Sequence, residues 1–384
     1  MSAAPLPLTL YVHMPWCVRK CPYCDFNSHQ LKSAKPSVRY IDALLADLEA
    51  ELPLLGSRPI EAVFFGGGTP SLFAPEEFAR LLAGVRQRCV LADGAEVTLE
   101  ANPGTIERGR FAGYRAAGIN RVSLGAQSFA PHALERLGRI HAPRDTLAAV
   151  EELRAAGIGN FNLDLMYALP GQTFEEALED IRVACALGPA HISHYQLTLE
   201  PGTAFHARPP ALPGEELAFR MQRECQELLA AHGFEQYEVS AYAKRGARCR
   251  HNLNYWQFGD YVGIGAGAHG KLSASLPGGV LRTEKPRQPR SYQAAASACA
   301  PVGERRPVAA RELPFEFMLN ALRLNEGFAC GDFECRTGLS MSAVEPELRK
   351  AQARSLVEMT DRGGWRASEL GFRFLNDLQA SFLP

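Results

Sequence analysis

Six short, largely apolar runs at residues 8–13, 62–66, 96–101, 121–126, 160–166 and 191–197 punctuate the first half of the chain. Near-continuous apolar runs of this length read as strands buried on both faces. Between and after them lie amphipathic stretches at 38–55, 75–88, 106–117, 144–156, 173–186 and 214–232, which predict helices. Gly118 and Gly157 fall just past two of these helices and Pro75 opens another, as helix ends require. Strand–helix units in series need a parallel sheet, so the chain is expected to be an α/β protein. An open doubly wound sheet and a curved partial barrel both satisfy the pattern.

The periodicity fades beyond residue 235. Residues 236–272 are aromatic- and glycine-rich, and 273–308, with SLPGGV and EKPRQPR, have the composition of a linker or exposed loop. Helical patterns return at 311–324 and 343–360, followed by GGWRAS and a short apolar tail. The expected organisation is a core domain over 1–235, a middle segment over 236–308, and a small helical or winged-helix-like domain over 309–384. No apolar run approaches the ~20 residues of a membrane span. The N-terminal MSAAPLPLTLYVH lacks a basic region followed by a long apolar core, so a cytoplasmic location is expected.

Formal charge is −1 overall, but residues 236–306 carry +7 against acidic flanks. Such a patch suits nucleic acid, acidic lipid or an anionic ligand. The C-terminal unit is itself acidic, which argues against a DNA-binding role for it, since phosphate contacts need concentrated Lys and Arg. No nucleic-acid partner is expected.

Ten cysteines in a long chain without a secretory signal point to metal binding before disulfides. Seven are scattered and read mostly as small core hydrophobes. The other three, Cys17, Cys21 and Cys24, form a C-x3-C-x2-C array inside LYVHMPWCVRKCPYCDFNSHQ. Structural zinc takes four ligands, and His13 or His29 are the candidates to complete such a site. A four-iron cluster normally takes four cysteines, so three leave one iron open to another ligand.

This array, placed just after the first strand of a β/α chain and with Tyr23 before its last cysteine, resembles the radical S-adenosylmethionine (SAM) enzymes. The resemblance implies a partial (β/α)6 barrel and a [4Fe-4S] cluster on Cys17, Cys21 and Cys24. It also implies that the methionyl group of SAM binds the open iron and that an external electron donor serves the cluster. FFGGGTP at 64–70 follows the second strand, and its glycines suit a close approach of backbone to ligand. A phosphate loop would need G-K-[ST] where Thr69-Pro70 stands. Glu100, Gln127 and Asp164 fall at C-terminal strand ends, which face the site in β/α barrels, and Arg139 follows in a loop. With Tyr11, Tyr23, Gly67, Gly68 and Thr69, they match the SAM-contacting positions of the coproporphyrinogen-dehydrogenase-like branch.

Within that branch, the dehydrogenases carry a longer N-terminal extension and a further cysteine two places after the third. Here only ten residues precede Tyr11, and Phe26 stands at the cysteine's position. CPYCDF (21–26) and HNLNYW (251–256) instead resemble the haem-chaperone family of the branch, whose motif is HNxxYW. The resemblance implies haem as cargo, delivered to acceptor haem proteins such as respiratory cytochromes. It leaves open a transient membrane association and a monomeric or homodimeric state. His251 is the candidate axial ligand, with Cys249 as alternative. Tyr255 and Trp256 are candidate porphyrin contacts, and Lys244, Arg245, Arg248 and Arg250 are candidate propionate partners. C-x-x-C-H is absent, so no thioether attachment is expected. The competing functions are oxidative decarboxylation of coproporphyrinogen III and modification of a nucleic acid by radical chemistry.

Overall fold

The computed structural model describes residues 6–32, 38–105, 109–273, 279–298, 302–361 and 363–384. Its main sheet has twelve strands. Six of them, β1 (Leu8–Met14), β4 (Ile60–Gly67), β5 (Leu91–Ala101), β6 (Arg121–Gln127), β7 (Phe161–Tyr167) and β8 (His191–Gln196), run parallel and adjacent in chain order. A short pair, β2 (Trp16–Cys17) and β3 (His29–Gln30), brackets the cysteine array. The crossovers are α1 (Val38–Leu55), α2 (Pro75–Arg88), α3 (Arg110–Ala117), the consecutive helices α4 (Pro131–Arg136) and α5 (Pro143–Ala155), and α6 (Phe174–Ala186). After β8 come the one-turn α7 (Ala204–Ala207) and the long α8 (Glu215–Ala231).

Alternation along the strands separates two faces. Leu8, Leu10, Val12 and Met14 of β1 pack with Ile41, Leu44 and Leu48 of α1 in the main apolar core. Thr9, Tyr11 and His13 point the other way, into the lumen of a partial barrel. Helix ends follow ordinary capping. Thr173 accepts from the Glu176 amide while Glu176 returns a bond to the Thr173 amide, and Gly118 closes α3 in the left-handed region at φ 108. The helix expected over 106–117 begins at Arg110, its residues 106–108 lying outside those described.

The middle segment is not a linker in its described residues; 274–278, most of SLPGGV, and 299–301 lie outside them. β9 (Glu235–Glu238) and β10 (Ala241–Ala243) extend the sheet antiparallel beside β8. On the opposite edge β11 (Asp260–Ile264) pairs parallel to β1, followed by β12 (His269–Ser273), β13 (Val280–Glu284) and β14 (Glu304–Pro307). The short helix α9 (Arg250–Trp256) enters the lumen from below, and α10 (Pro289–Ala296) packs on α1. What ties this loop-like composition down is a buried ion network. Lys285 Nζ lies 2.7 Å from both Asp47 Oδ1 and Glu51 Oε1 of α1, and Tyr292 donates to Asp47 at 2.8 Å. Polar residues that read as exposed loop are here satisfied inside the core.

The C-terminal unit runs α11 (Leu313–Ala321), β15 (Phe328–Ala329), α12 (Cys330–Thr337), α13 (Glu345–Ala353), β16 (Val357–Met359) and β17 (Gly364–Ala367). Helix, strand, helix, helix and a two-strand hairpin form a winged-helix order around Phe317, Phe333, Leu348 and Trp365. The single helix expected over 343–360 is α13 followed by β16, because Ser355 takes a left-handed turn (φ 58) between them. Phe258 stacks edge-on to Phe317 at 5.5 Å, joining this unit to the barrel. Among the described residues no helix is long and apolar enough to cross a membrane.

Candidate functional site

The cysteine loop leaves the top of β1 and is held there by the glycine run. The Gly68 amide donates to Met14 O at 2.8 Å and the Thr69 amide to Trp16 O at 2.7 Å, while the Gly67 amide donates to Glu100 Oε2 at 3.1 Å. The amides of Gly67, Gly68 and Thr69 are thus all committed to the protein. A β-carbon on Gly67 would stand 2.5 Å from His13 Cε1, and one on Gly68 would stand 2.5 Å from Trp16 O. Glycine is required here because two segments of backbone and one imidazole meet without room for a methyl group. His13 donates or accepts at both ring nitrogens, 3.0 Å from Tyr11 Oη and 2.9 Å from Asn27 O. It therefore props the loop and is not placed to complete a zinc site, and His29 Nε2 lies 3.2 Å from Arg287 O.

Cys17, Cys21 and Cys24 line one cavity of about 380 Å³ over the C-terminal ends of β4 to β8. Eight of the nine candidate SAM residues line it too: Tyr23, Gly67, Gly68, Thr69, Glu100, Gln127, Arg139 and Asp164. The ninth, Tyr11, lines an adjoining cavity that shares Gly67, Glu100 and Phe26 with the first. Arg139 sets its guanidinium between the Gly125 carbonyl (2.8 Å) and the Cys21 sulfur (3.6 Å). Tyr23 packs towards Phe205 of α7, whose amide donates to Pro22 O at 2.9 Å, so the CPYC turn is docked on both sides. Gln127 adopts φ 68, an uncommon conformation for a side-chain-bearing residue, at the end of β6 where its pairing with β7 slips register.

Four acidic residues line this cavity, Asp25, Glu100, Asp164 and Glu200, and two of them, Glu100 and Asp164, stand on the strands beneath it. Burial, then the proximity of Asp164, pushes Glu100 up to about 8, against the opposing pull of the Gly67 amide. Burial also raises Asp164, opposed by hydrogen bonds from its neighbours. Beneath Asp164 runs a polar relay that sequence reasoning missed. Ser123 Oγ donates to Asp164 at 2.9 Å and Asn162 Nδ2 to Asp164 at 2.8 Å, while Asn162 Oδ1 lies 2.7 Å from His191 Nδ1. Tyr237 Oη lies 2.9 Å from the other His191 nitrogen. Tyr195 and Met166 also line the cavity, and both lie two residues beyond lumen-facing positions, Ser193 and Asp164. That period of two was the available signal. Burial holds the Cys17 and Cys24 thiols above their ordinary range.

The HNLNYW segment is α9 itself, and it plugs the bottom of the lumen. Asn254 Nδ2 donates to Thr9 Oγ1 (3.2 Å) and Asp260 O (2.8 Å), and the Arg250 amide donates to Glu96 Oε1 (3.0 Å). His251 is 3% exposed and lies flat against Phe64 (5.0 Å) and Tyr11 (6.0 Å), with Tyr255 edge-on at 4.8 Å. Burial lowers it to about 3, so the ring is neutral. Tyr255 reaches the second cavity, but Trp256 turns away beneath the Arg323 guanidinium. Cys249 is buried against Glu96. Three of the four upstream cations are engaged elsewhere, Lys244 with His232 O, Arg248 with Glu326 at 2.7 Å, and Arg250 with Gly94 O at 2.9 Å, while Arg245 is exposed. The structure gathers the cluster and SAM candidates and disperses most of the haem candidates.

A model of the radical SAM superfamily matches residues 11–184, and one of the HemN C-terminal domain matches 308–374. The heme chaperone HemW of Escherichia coli (strain K12) is 48% identical over 379 residues, covering 98% of both chains. The chain belongs to the HemW family. HemW of Haemophilus influenzae is likewise 48% identical over 98% of each chain. A mitochondrial radical S-adenosyl methionine domain-containing protein 1 from Bos taurus is 36% identical over 97% of this chain and 87% of its own. Among solved structures, Escherichia coli coproporphyrinogen III oxidase (HemN) superposes with a TM-score of 0.81 over 98% of this chain and 90% of its own. At 21% identity that likeness speaks for the fold alone.

Proposed function

We propose that the chain is a haem chaperone, which binds haem and passes it to haem-requiring acceptor proteins from the cytoplasm. The observation that carries this reading is the 48% identity to HemW chaperones along the whole length. The side chains at the cavity fit the implied cofactors. Three thiols on one loop leave a four-iron cluster one open site. Two cavity-facing carboxyls, Glu100 and Asp164, can release their protons to meet the cationic amino and sulfonium groups of SAM, and Arg139 beside Cys21 offsets the negative charge of a thiolate-bound cluster. Cys17, Cys21 and Cys24 would hold the cluster. Tyr23, Gly67, Gly68, Thr69, Glu100, Gln127, Arg139 and Asp164 would border SAM, with Tyr11 supporting it from the adjoining cavity. Bound SAM supplies a ligand to the open iron and a latent 5′-deoxyadenosyl group.

The chain's own residues do the rest. The Gly67 amide orients the Glu100 carboxyl, and the Ser123–Asn162–His191 relay orients that of Asp164. Phe26, at the lip of both cavities, is 59% exposed where a dehydrogenase would carry another cysteine. An exposed apolar ring there suits contact with a flat macrocycle. The alternative is oxidative decarboxylation of coproporphyrinogen III, to which the shared fold lends itself. Incubating the anaerobically reconstituted protein with SAM, a reductant and coproporphyrinogen III decides between them: the chaperone reading expects no release of carbon dioxide. Turnover would refute it.

A further inference from the structure

The second cavity, about 310 Å³, holds a set of groups that the HNxxYW motif does not account for. Its volume lies at the lower end of the range for small-ligand clefts, ~300–1,000 Å³. It adjoins a further depression of about 350 Å³ through two shared residues, Tyr261 and His269. Tyr255 and Tyr261 stack 4.0 Å apart at 23° to give it a flat aromatic wall, and Phe26 of the cysteine loop bounds it opposite the turn. Two imidazoles line it. Those of His13 are spent on Tyr11 and Asn27, as described. His269 is different: its side chain is 59% exposed, and its Nε2 has a long contact of 3.9 Å with the exposed Glu284 carboxylate.

His269 is also rigidly mounted. It begins β12 directly after a glycine turn in which Gly265 and Gly267 have φ of 106 and 78. Its backbone lies so close to β11 that a β-carbon on Gly263 would stand 2.0 Å from His269 O. Asn27 Nδ2 ties the turn to the cysteine loop, donating to Ala266 O at 2.8 Å and Arg287 O at 2.9 Å. Arg287 lies at the same rim and is exposed. His251, in contrast, sits behind Tyr11, Phe64 and Tyr255. A tetrapyrrole could reach it only by displacing those rings and the hydrogen bonds of α9.

We propose that haem seats in this second cavity, with His269 as axial iron ligand, Arg287 facing a propionate, and His251 as a positioning residue behind Tyr255 and Tyr11. An imidazole on a fixed backbone at an open cavity is a competent haem ligand, and a guanidinium matches a carboxylate in geometry and charge. The stacked Tyr255–Tyr261 pair supplies the apolar face that a porphyrin needs. This placement rests on the chaperone reading and assigns its cargo site. It also sets the haem beside Glu100 and Gly67, which border the SAM cavity, so the two ligands share a wall.

The test is haem titration of the full-length, cluster-reconstituted protein, read by Soret position and affinity. Four proteins are compared: wild type, His269→Ala, His269→Met and His251→Phe. Iron and sulfide content and SAM binding serve as checks of folding. His269→Ala should move the Soret band, weaken binding about tenfold or more, and recover a nitrogen-ligated spectrum on adding imidazole. His269→Met, which keeps a ligating side chain, should instead give a thioether-type spectrum, and it decides the matter should the alanine variant not fold. His251→Phe should weaken binding while keeping the wild-type Soret position. Wild-type spectra and affinity in both His269 variants, or a Soret shift in His251→Phe alone, would overturn the seat while leaving the chaperone reading intact. A wild-type protein that binds no haem would overturn that reading and the seat with it.

Discussion

Replacing Glu100 by glutamine should make the dependence of stability on pH flatter, by an amount that the site's geometry sets. Glu100 is held at about 8 in the folded chain, against 4.5 for a free carboxyl, chiefly by burial and then by Asp164. Between those two values the folded protein keeps a proton that the unfolded chain has released. Stability attributable to Glu100 is therefore fully present below about 4.5, falls as pH rises, and is level again above about 8. At 1.36 kcal/mol per pH unit the full swing is ~5 kcal/mol. The carboxyl borders an open cavity, where solvent screens it, so about half of that is expected. For a chain of 384 residues, an unfolding entropy of ~2.1 cal/mol/K per residue converts ~2 kcal/mol into ~3 °C. Glutamine preserves the acceptor for the Gly67 amide and cannot ionise. Thermal scans of wild type and Glu100→Gln, free of cluster and SAM, should diverge by ~3 °C between about pH 5 and pH 8.5, the variant gaining at the alkaline end. Parallel curves would show that the carboxyl is not held protonated, and the claim that burial and Asp164 together raise Glu100 would fail.

Three further outcomes follow from named contacts. Cys17→Ala should abolish the visible iron–sulfur absorption after anaerobic reconstitution, and tightly bound zinc in the wild type, without iron or sulfide, would contradict the cluster assignment. Gly67→Ala forces a methyl group to 2.5 Å from His13 at φ 113. The strain, ~1–3 kcal/mol, should weaken SAM binding ~10-fold or more in calorimetry, whereas Gly94→Ala, where no atom lies within 4 Å, should not. Lys285→Met leaves Asp47 without a cation inside the core and Glu51 with Arg305 alone, and should destabilise the protein by ~3–5 kcal/mol, seen as a drop of ~4–6 °C in scanning calorimetry.

The parallel core was legible because burial on both faces writes itself into apolar runs, and the strand-end residues Glu100, Gln127 and Asp164 do converge on one cavity as the β/α pattern demands. The edge of the sheet was not. Lys285 and Tyr292 look like loop residues, and only partners more than two hundred positions away, Asp47 and Glu51 on α1, turn them into core. The same long-range pairing hid β11, whose partner is β1. HNLNYW was legible as a motif, but its mechanical role was not, since neither composition nor spacing shows that His251 is stacked flat beneath Phe64. His269 carried no periodic signal at all. Its significance comes from exposure beside Tyr255, Tyr261 and Phe26.

The most direct test of the central claim is transfer. Haem-loaded, cluster-reconstituted protein should be mixed with a haem-depleted respiratory cytochrome, and the cytochrome's own spectrum and activity followed against a free-haem control. The account predicts that haem leaves the chain and that the acceptor regains activity, with the chain itself showing no turnover of coproporphyrinogen III. Retention of haem by the chain, or recovery no better than with free haem, would contradict it.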